Sequence, residues 1–166
     1  MNLEVCRNLL EKSLAMNIEK SNVIAEILFQ PSFECQGETV YCQLRQRDNE
    51  IFFCYEHFSR YDFALLTYTK ISADIKDNVF TDSYCGIAAI DNKLRLEIEN
   101  YICEINKFKC KKIKSEIGLD GFTHTVIINE REFSWWCEPV SKETKLLNEF
   151  VFTVFKLMPK DYRKVD

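Results

Sequence analysis

The chain has 166 residues, of which 46% are hydrophobic, 29% charged and 13% aromatic, and its formal net charge is −4. This length predicts a single domain, 1–166, that can bury a core without the help of a metal or a disulfide. The aromatic content excludes intrinsic disorder. The negative charge argues against a nucleic-acid-binding protein, because such proteins neutralise phosphates with lysine and arginine.

The N-terminal sequence has no basic region followed by an apolar core, and no apolar run approaches the ~20 residues that cross a membrane. We therefore expect a cytoplasmic protein that does not contact membranes. Eight cysteines without any C-x-x-C spacing then predict reduced, mostly buried thiols rather than disulfides or a zinc site. No cofactor and no metal are expected.

The first half of the chain predicts one helix followed by strands. Residues 2–17 carry apolar side chains at three- and four-residue steps, which indicates an amphipathic helix. Four β-rich or alternating runs predict strands: Val23–Phe29, Thr39–Arg45, Ile51–Tyr55 and Phe63–Thr69. The polar pair Asp48-Asn49 predicts a hairpin turn between the second and third of these strands.

Residues Ile71–Ala89 mix acidic and apolar side chains, and we expect them to be mostly irregular. Lys93–Phe108 has apolar residues at helical spacing and predicts a middle helix, although its first residues also suit a strand. Lys109–Ile117 alternates only in part. Asp120-Gly121 predicts a tight turn.

The last third of the chain has the clearest pattern. Two β-rich segments flank the turn Asn129-Glu130 and predict a hairpin: Phe122–Ile128 and Glu132–Cys137. Ser141 is a suitable N-cap for a final helix over Lys142–Met158, which has one broad apolar face. Together these elements predict a single α+β domain in which an antiparallel sheet packs against N-terminal, middle and C-terminal helices.

The sequence contains none of the common phosphate-binding, hydrolase or metalloprotease motifs. Cys54 and His57 could form a thiol–imidazole pair, since a cysteine nucleophile needs a base nearby. Three residues apart on a strand, however, their side chains would point to opposite faces. His124, in a predicted strand, is expected at the surface or rim.

A run of lysines is the only basic cluster in the sequence: Lys107, Lys109, Lys111, Lys112 and Lys114. One interpretation is a phosphate-binding strip. The interpretation we favour is an edge strand on which lysines discourage association between sheets, because no aromatic side chains are interleaved on the same face.

The segment from Asp74 to Glu104 contains seven acidic and three basic residues, a local charge of −4. It could dock a basic partner, because complementary charge accelerates encounter, or it could simply be a solvated face. Adjacent Trp135 and Trp136 must place their rings on opposite faces of a strand, one of them in the core.

The C-terminal pattern resembles immunity proteins of bacterial polymorphic toxin and contact-dependent growth inhibition systems. The resemblance covers the last quarter of the chain and consists of Asp120-Gly121, a β-rich strand, the run Phe133-Ser134-Trp135-Trp136, Pro139 and the amphipathic helix. It implies a cytoplasmic, non-catalytic inhibitor that binds one cognate toxin domain and carries no cofactor.

The sequence therefore suggests a toxin-neutralising protein whose partner is a basic toxin domain rather than a nucleic acid or a membrane. The residues proposed to bind this partner are Asp74, Asp77, Asp82, Tyr84 and Trp136. A generic protein-interaction or adaptor domain is the first alternative. A small enzyme using Cys54 and His57 is the second.

Overall fold

The structure is a computed structural model that describes residues 3–31, 38–58, 84–109, 112–114 and 121–158. The described residues form three helices: α1 (Leu3–Ile18), α2 (Asn92–Asn106) and α3 (Lys142–Phe155). They also form seven strands: β1 (Asn22–Pro31), β2 (Thr39–Arg47), β3 (Glu50–Phe58), β4 (Tyr84–Ala89), β5 (Lys112–Lys114), β6 (Phe122–Ile128) and β7 (Arg131–Trp136).

The seven strands make one sheet in the order β4-β3-β2-β1-β6-β7-β5. Strands β1 to β4 follow one another outward from the centre of the sheet, and each pairs antiparallel with its neighbour. The hairpin of β6 and β7 adds to the other side of β1, again antiparallel. Only β5 runs parallel to its neighbour, β7. The predicted α+β domain with an antiparallel sheet and N-terminal, middle and C-terminal helices is therefore confirmed.

Helices cover both faces of the sheet because successive residues along each strand alternate between two apolar sets. On one face, the α1 side, the buried residues of α1 pack against Leu28, Tyr41, Phe52 and Cys54. On the other face, the α2/α3 side, the two remaining helices bury a larger core. That core includes Ile27, Cys42, Phe53, Val126, Phe133, Ile98, Leu147 and Phe150.

Local signals in the sequence explain where elements begin and turn. Asp91 accepts a hydrogen bond from the Leu94 N–H at the start of α2, and Ser141 forms a capping box with Thr144 at the start of α3. Asn129 and Glu130 connect β6 and β7 with φ angles of 50° and 63°, as a two-residue hairpin turn of type I′ requires.

Gly121 lies directly before β6 and has a φ of 130°. A Cβ atom at this position would lie 2.0 Å from the Cys137 sulfur, so any side chain would displace the strand end opposite. The preceding residue of the predicted turn, Asp120, lies outside the described residues.

Several predicted elements hold with shifted limits. The structure contains most of the predicted elements. They are the N-terminal helix, the strands predicted at Val23–Phe29, Thr39–Arg45 and Ile51–Tyr55, the hairpin turn at Asp48, the C-terminal hairpin, and the middle and last helices. The prediction that Ile71–Ala89 is mostly irregular is wrong for Tyr84–Ala89, which forms β4. This strand has no charged residues, and Gly86 leaves room for the Tyr55 ring that lies against it. Phe63–Thr69 lies outside the described residues.

The cysteines divide by position rather than following one rule. Three are buried, one is half-buried and two are exposed: Cys6, Cys42 and Cys54, then Cys137, then Cys85 and Cys103. Cys35 and Cys110 lie outside the described residues. The expectation of mostly buried thiols therefore holds for half of the six that the structure describes.

Replacing Phe150 with alanine should destabilise the domain strongly. Phe150 is fully buried on α3 and lies against the Tyr101 ring of α2, with 6.1 Å between ring centroids. Such truncations commonly cost about 3–5 kcal/mol, which corresponds to a fall in melting temperature of roughly 10 °C for a domain of this size. Thermal unfolding followed by circular dichroism measures this fall.

Val140→Ala is the control, because Val140 lies just before the same helix and is 86% exposed. Its melting temperature should stay close to that of the unchanged protein. Equal shifts for the two variants would contradict the packing of α3 described above.

Candidate functional site

The α1 side of the sheet buries a chain of polar side chains. Arg7 of α1 donates two hydrogen bonds to the Glu26 carboxylate of β1, at 2.6 and 2.7 Å. The Tyr41 hydroxyl of β2 donates to the same carboxylate at 2.6 Å. The Glu26 side chain is only 9% exposed, so this pairing is what makes its burial tolerable.

The chain continues along β2, where residues 41, 43 and 45 share one face. The Gln43 amide donates to the Tyr41 oxygen at 2.8 Å, and Arg45 donates to the Gln43 carbonyl oxygen at 2.5 Å. Arg45 also donates to the Ser21 hydroxyl at 2.9 Å and lies 3.6 Å from the Glu11 carboxylate. Each charged side chain of this network therefore has a hydrogen-bond or ion-pair partner, which is typical of a network with a structural role.

Burial and the Glu26 carboxylate raise the pKa of Tyr41 well above its usual range. The pKa of Arg7 is also raised, chiefly by its hydrogen bond to Glu26. Both shifts preserve the ordinary protonation states at neutral pH. No sequence motif predicts this network, although the alternating polar residues of β2, in an otherwise apolar hairpin, are a signal that could have indicated it.

The structure separates Cys54 from His57, as strand alternation predicts. Cys54 lies in the buried cluster beneath α1, and burial raises the pKa of its thiol to about 11. His57 pairs across the sheet with Val40 on the α2/α3 side, and its Nε2 lies 2.5 Å from a Glu38 carboxylate oxygen. The two side chains cannot act as a nucleophile and its base.

Glu56 is a second buried carboxyl group that no sequence motif indicated. It is 5% exposed on β3, and burial raises the pKa of its side chain to about 8. One of its oxygens has no hydrogen-bond partner among the described residues. Burial and, to a smaller extent, the Glu56 carboxylate raise the pKa of the Cys6 and Cys85 thiols, so all three groups favour the protonated form.

His124 is buried, so the prediction of a surface or rim position is wrong. It is 3% exposed because β6 lies inside the sheet, between β1 and β7. Its ring stacks on that of Trp135, with centroids 4.9 Å apart and an interplanar angle of 7°. Burial lowers the pKa of His124 to about 4, which keeps the imidazole neutral at physiological pH.

Of the five residues predicted to bind a partner, two lie in described strands, Tyr84 and Trp136. Asp74, Asp77 and Asp82 lie outside the described residues. Tyr84 begins β4 at one edge of the sheet, whereas Trp136 ends β7. Five strand spacings separate β4 from β7, which is roughly 24 Å.

The two tryptophans follow the predicted alternation. Trp135 is 2% exposed on the α2/α3 side, while Trp136 is half-buried on the opposite face. Two residues of the lysine run, Lys112 and Lys114, lie on β5, which is the terminal strand beside β7 among the described strands, as the edge-strand interpretation predicts. Lys107, at the end of α2, forms an ion pair with Glu104. Lys111 lies outside the described residues.

Among the helices and strands that the structure describes, the large apolar side chains with the greatest exposed fraction are on α2 and α3. Leu96 is 56% exposed and Phe152 is 57% exposed. Exposed large side chains of this kind are common at protein-binding surfaces. We call this surface the outer helix face and define it by Lys93, Leu96 and Asn100 of α2 and Glu149, Phe152 and Lys156 of α3.

In the part of the chain that the structure describes, no three His, Cys, Asp or Glu side chains are grouped to hold a metal ion. Among the same residues, no helix has the length and apolar character needed to cross a membrane. No protein-family model matches the sequence, and no curated protein is significantly similar to it.

Replacing Glu56 with glutamine should change how stability depends on pH. The pKa of Glu56 is about 8 in the folded state, compared with 4.5 for an unperturbed carboxyl. The contribution of the protonated carboxyl to stability is therefore complete below about pH 4.5 and is lost as the pH rises towards 8. Glu56→Gln, which cannot ionise, should lose none of it.

The measurement is the free energy of unfolding by urea from pH 4.5 to 8.5, as the difference between Glu56→Gln and the unchanged protein. This difference should increasingly favour the variant, by on the order of 1 kcal/mol per pH unit. Subtraction cancels the effect of His124, which acts oppositely below about pH 6.5. Glu50→Gln, at an exposed position of β3, is the control. A difference that is independent of pH would contradict the assigned burial of a protonated Glu56.

Proposed function

We propose that the protein is a non-catalytic immunity protein that binds a cognate bacterial toxin domain and blocks its active site. The observation that carries this proposal is the acidic segment from Asp74 to Glu104, with its local charge of −4. The resemblance of the C-terminal quarter to toxin-neutralising proteins supports the same function.

The positions and partners of the buried polar groups support a binding protein rather than an enzyme. In the network beneath α1, Glu26 accepts hydrogen bonds from Arg7 and from a tyrosine of β2, and Arg45 donates to Gln43. Cys54 and His57 lie on opposite faces, and the raised pKa of Cys54 keeps its thiol protonated at neutral pH. The alternative of a small enzyme using these two residues together therefore has no geometric support.

Four carboxylates in the described part of the acidic segment have partners within the protein. Asp91 caps α2, Glu104 pairs with Lys107, and Glu97 accepts a hydrogen bond from Thr153. Glu99, at 3.8 Å from Arg95, is 47% exposed. Exposed ion pairs contribute little to folding, so these charges are available for steering a basic partner.

A generic adaptor domain would share these surface properties. A gene for a large secreted toxin directly upstream distinguishes the two functions, because immunity proteins are encoded beside the toxins that they neutralise. A different neighbourhood would favour the adaptor.

Reversing three acidic residues should abolish toxin neutralisation. The variant Asp74→Lys, Asp77→Lys and Asp82→Lys removes the negative charge that we propose attracts the toxin. Host cells that express the toxin should survive with the unchanged protein and die with this variant. Binding kinetics should show an association rate that falls steeply as ionic strength rises, with a smaller change in the dissociation rate.

The matched control reverses three exposed glutamates that lie elsewhere: Glu19, Glu50 and Glu138. This control changes the net charge by the same amount and should still protect the cell. Both variants should keep the melting temperature of the unchanged protein. Full protection by the Asp74, Asp77 and Asp82 variant would exclude this segment as the docking site, and the Trp136 hairpin would be the next surface to test.

A further inference from the structure

The outer helix face combines two exposed apolar side chains with separated charges. Leu96 of α2 and Phe152 of α3 each expose more than half of their surface. Contiguous exposed apolar side chains rimmed by polar residues are typical of protein-binding surfaces. The arrangement of the two helices shows that these residues are neighbours.

Two contacts define how α2 and α3 run beside each other. The Thr153 hydroxyl donates to the Glu97 carboxylate at 3.4 Å, and the rings of Phe150 and Tyr101 have centroids 6.1 Å apart. Glu97 precedes Tyr101 on α2, whereas their respective partners on α3 follow the opposite order, Thr153 after Phe150. The two helices are therefore antiparallel. In an antiparallel pair, the residues directly before the two contacting residues project to the same side. Leu96 and Phe152 therefore lie side by side, on two helices whose axes are about 8–10 Å apart.

Charges flank this apolar pair unequally at its two ends. On α3, Glu149 lies one turn before Phe152 and Lys156 lies one turn after it. On α2, Lys93 precedes Leu96, and the uncharged Asn100 follows it. Since the helices are antiparallel, both lysines lie at one end of the face and Glu149 lies at the other. All four flanking side chains are exposed.

We propose that the outer helix face binds the same face of a second copy of this chain. A two-fold axis that lies in the face, at right angles to the helices and level with Leu96 and Phe152, exchanges the two ends of the face. It brings Leu96 against the partner's Leu96 and Phe152 against the partner's Phe152. It also brings Lys156 against the partner's Glu149, and Glu149 against the partner's Lys156. The surface is thus complementary to itself in both apolar shape and charge, as a two-fold dimer requires.

The six residues that define the outer helix face do not include Asp74, Asp77 and Asp82, which we propose dock the toxin, although Lys93, Leu96 and Asn100 belong to the same acidic segment. A toxin-neutralising protein could therefore act as a dimer that carries two docking segments. Loss of dimerisation with protection retained would separate the two proposals.

Sedimentation velocity over a concentration series tests the dimer. The unchanged protein should shift from monomer to dimer as its concentration rises. Glu149→Lys alone places two lysines together at each symmetric contact and should weaken the dimer by at least about tenfold. Lys156→Glu alone should do the same by placing two carboxylates together. The double variant Glu149→Lys with Lys156→Glu should restore the dimer.

A second pair of variants tests the apolar centre of the face. Phe152→Ser should weaken the dimer at least as much as either charge reversal. Val140→Ser is the matched control, because Val140 is 86% exposed but lies outside the outer helix face, and it should leave the dimer unchanged. A protein that stays monomeric at every concentration would overturn the proposal. So would single reversals without effect, or a double variant that stays as weak as the single ones.

Discussion

The Glu26 carboxylate, held between Arg7 and Tyr41, is the contact on which the position of α1 depends. A carboxylate this deeply buried needs both donors, because an unpaired charge inside a protein costs several kcal/mol. Apolar packing under α1 would tolerate sliding of the helix, whereas a two-point hydrogen bond from Arg7 allows one register. The network continues through Gln43 to Arg45, and so ties α1 to the two central strands at once. A protein with apolar residues in place of this network could be as stable, but its helix α1 would be less precisely placed.

The two faces of the sheet treat ionisable groups differently. Beneath α1, the Glu26 carboxylate accepts hydrogen bonds from Arg7 and Tyr41. Two strands away on β3, burial raises the pKa of Glu56 to about 8. On the α2/α3 side, burial lowers the pKa of His124, so its imidazole is neutral where it stacks on Trp135. These buried ionisable groups have roles in packing, so we assign the proposed function to the surface. The outer helix face and the acidic segment are the features that the packing does not account for.

Much of the fold followed from the sequence because its signals are local. The alternation in β2 and β3, the turn at Asn129 and the cap at Ser141 each reflect short-range geometry. β4 was missed because its six uncharged residues, small except for Tyr84 and Ile87, have little β-propensity and gain their order from pairing with β3. His124 was misplaced for a related reason: its burial depends on β6 lying between β1 and β7, and no local pattern states the order of strands. The network beneath α1 likewise joins residues 7, 26 and 45, which only the tertiary fold brings together.

Hydrogen exchange of the Glu26→Ala variant tests the role of this network most directly. Removing the carboxylate leaves Arg7 and Tyr41 without their shared acceptor, so α1 should separate from the sheet more often than the rest of the domain unfolds. The account predicts that backbone amides of α1 lose protection, while those of β6, β7 and α3 keep it. Equal loss of protection throughout the domain, or unchanged protection in α1, would contradict the claim that Glu26 fixes this helix to the sheet.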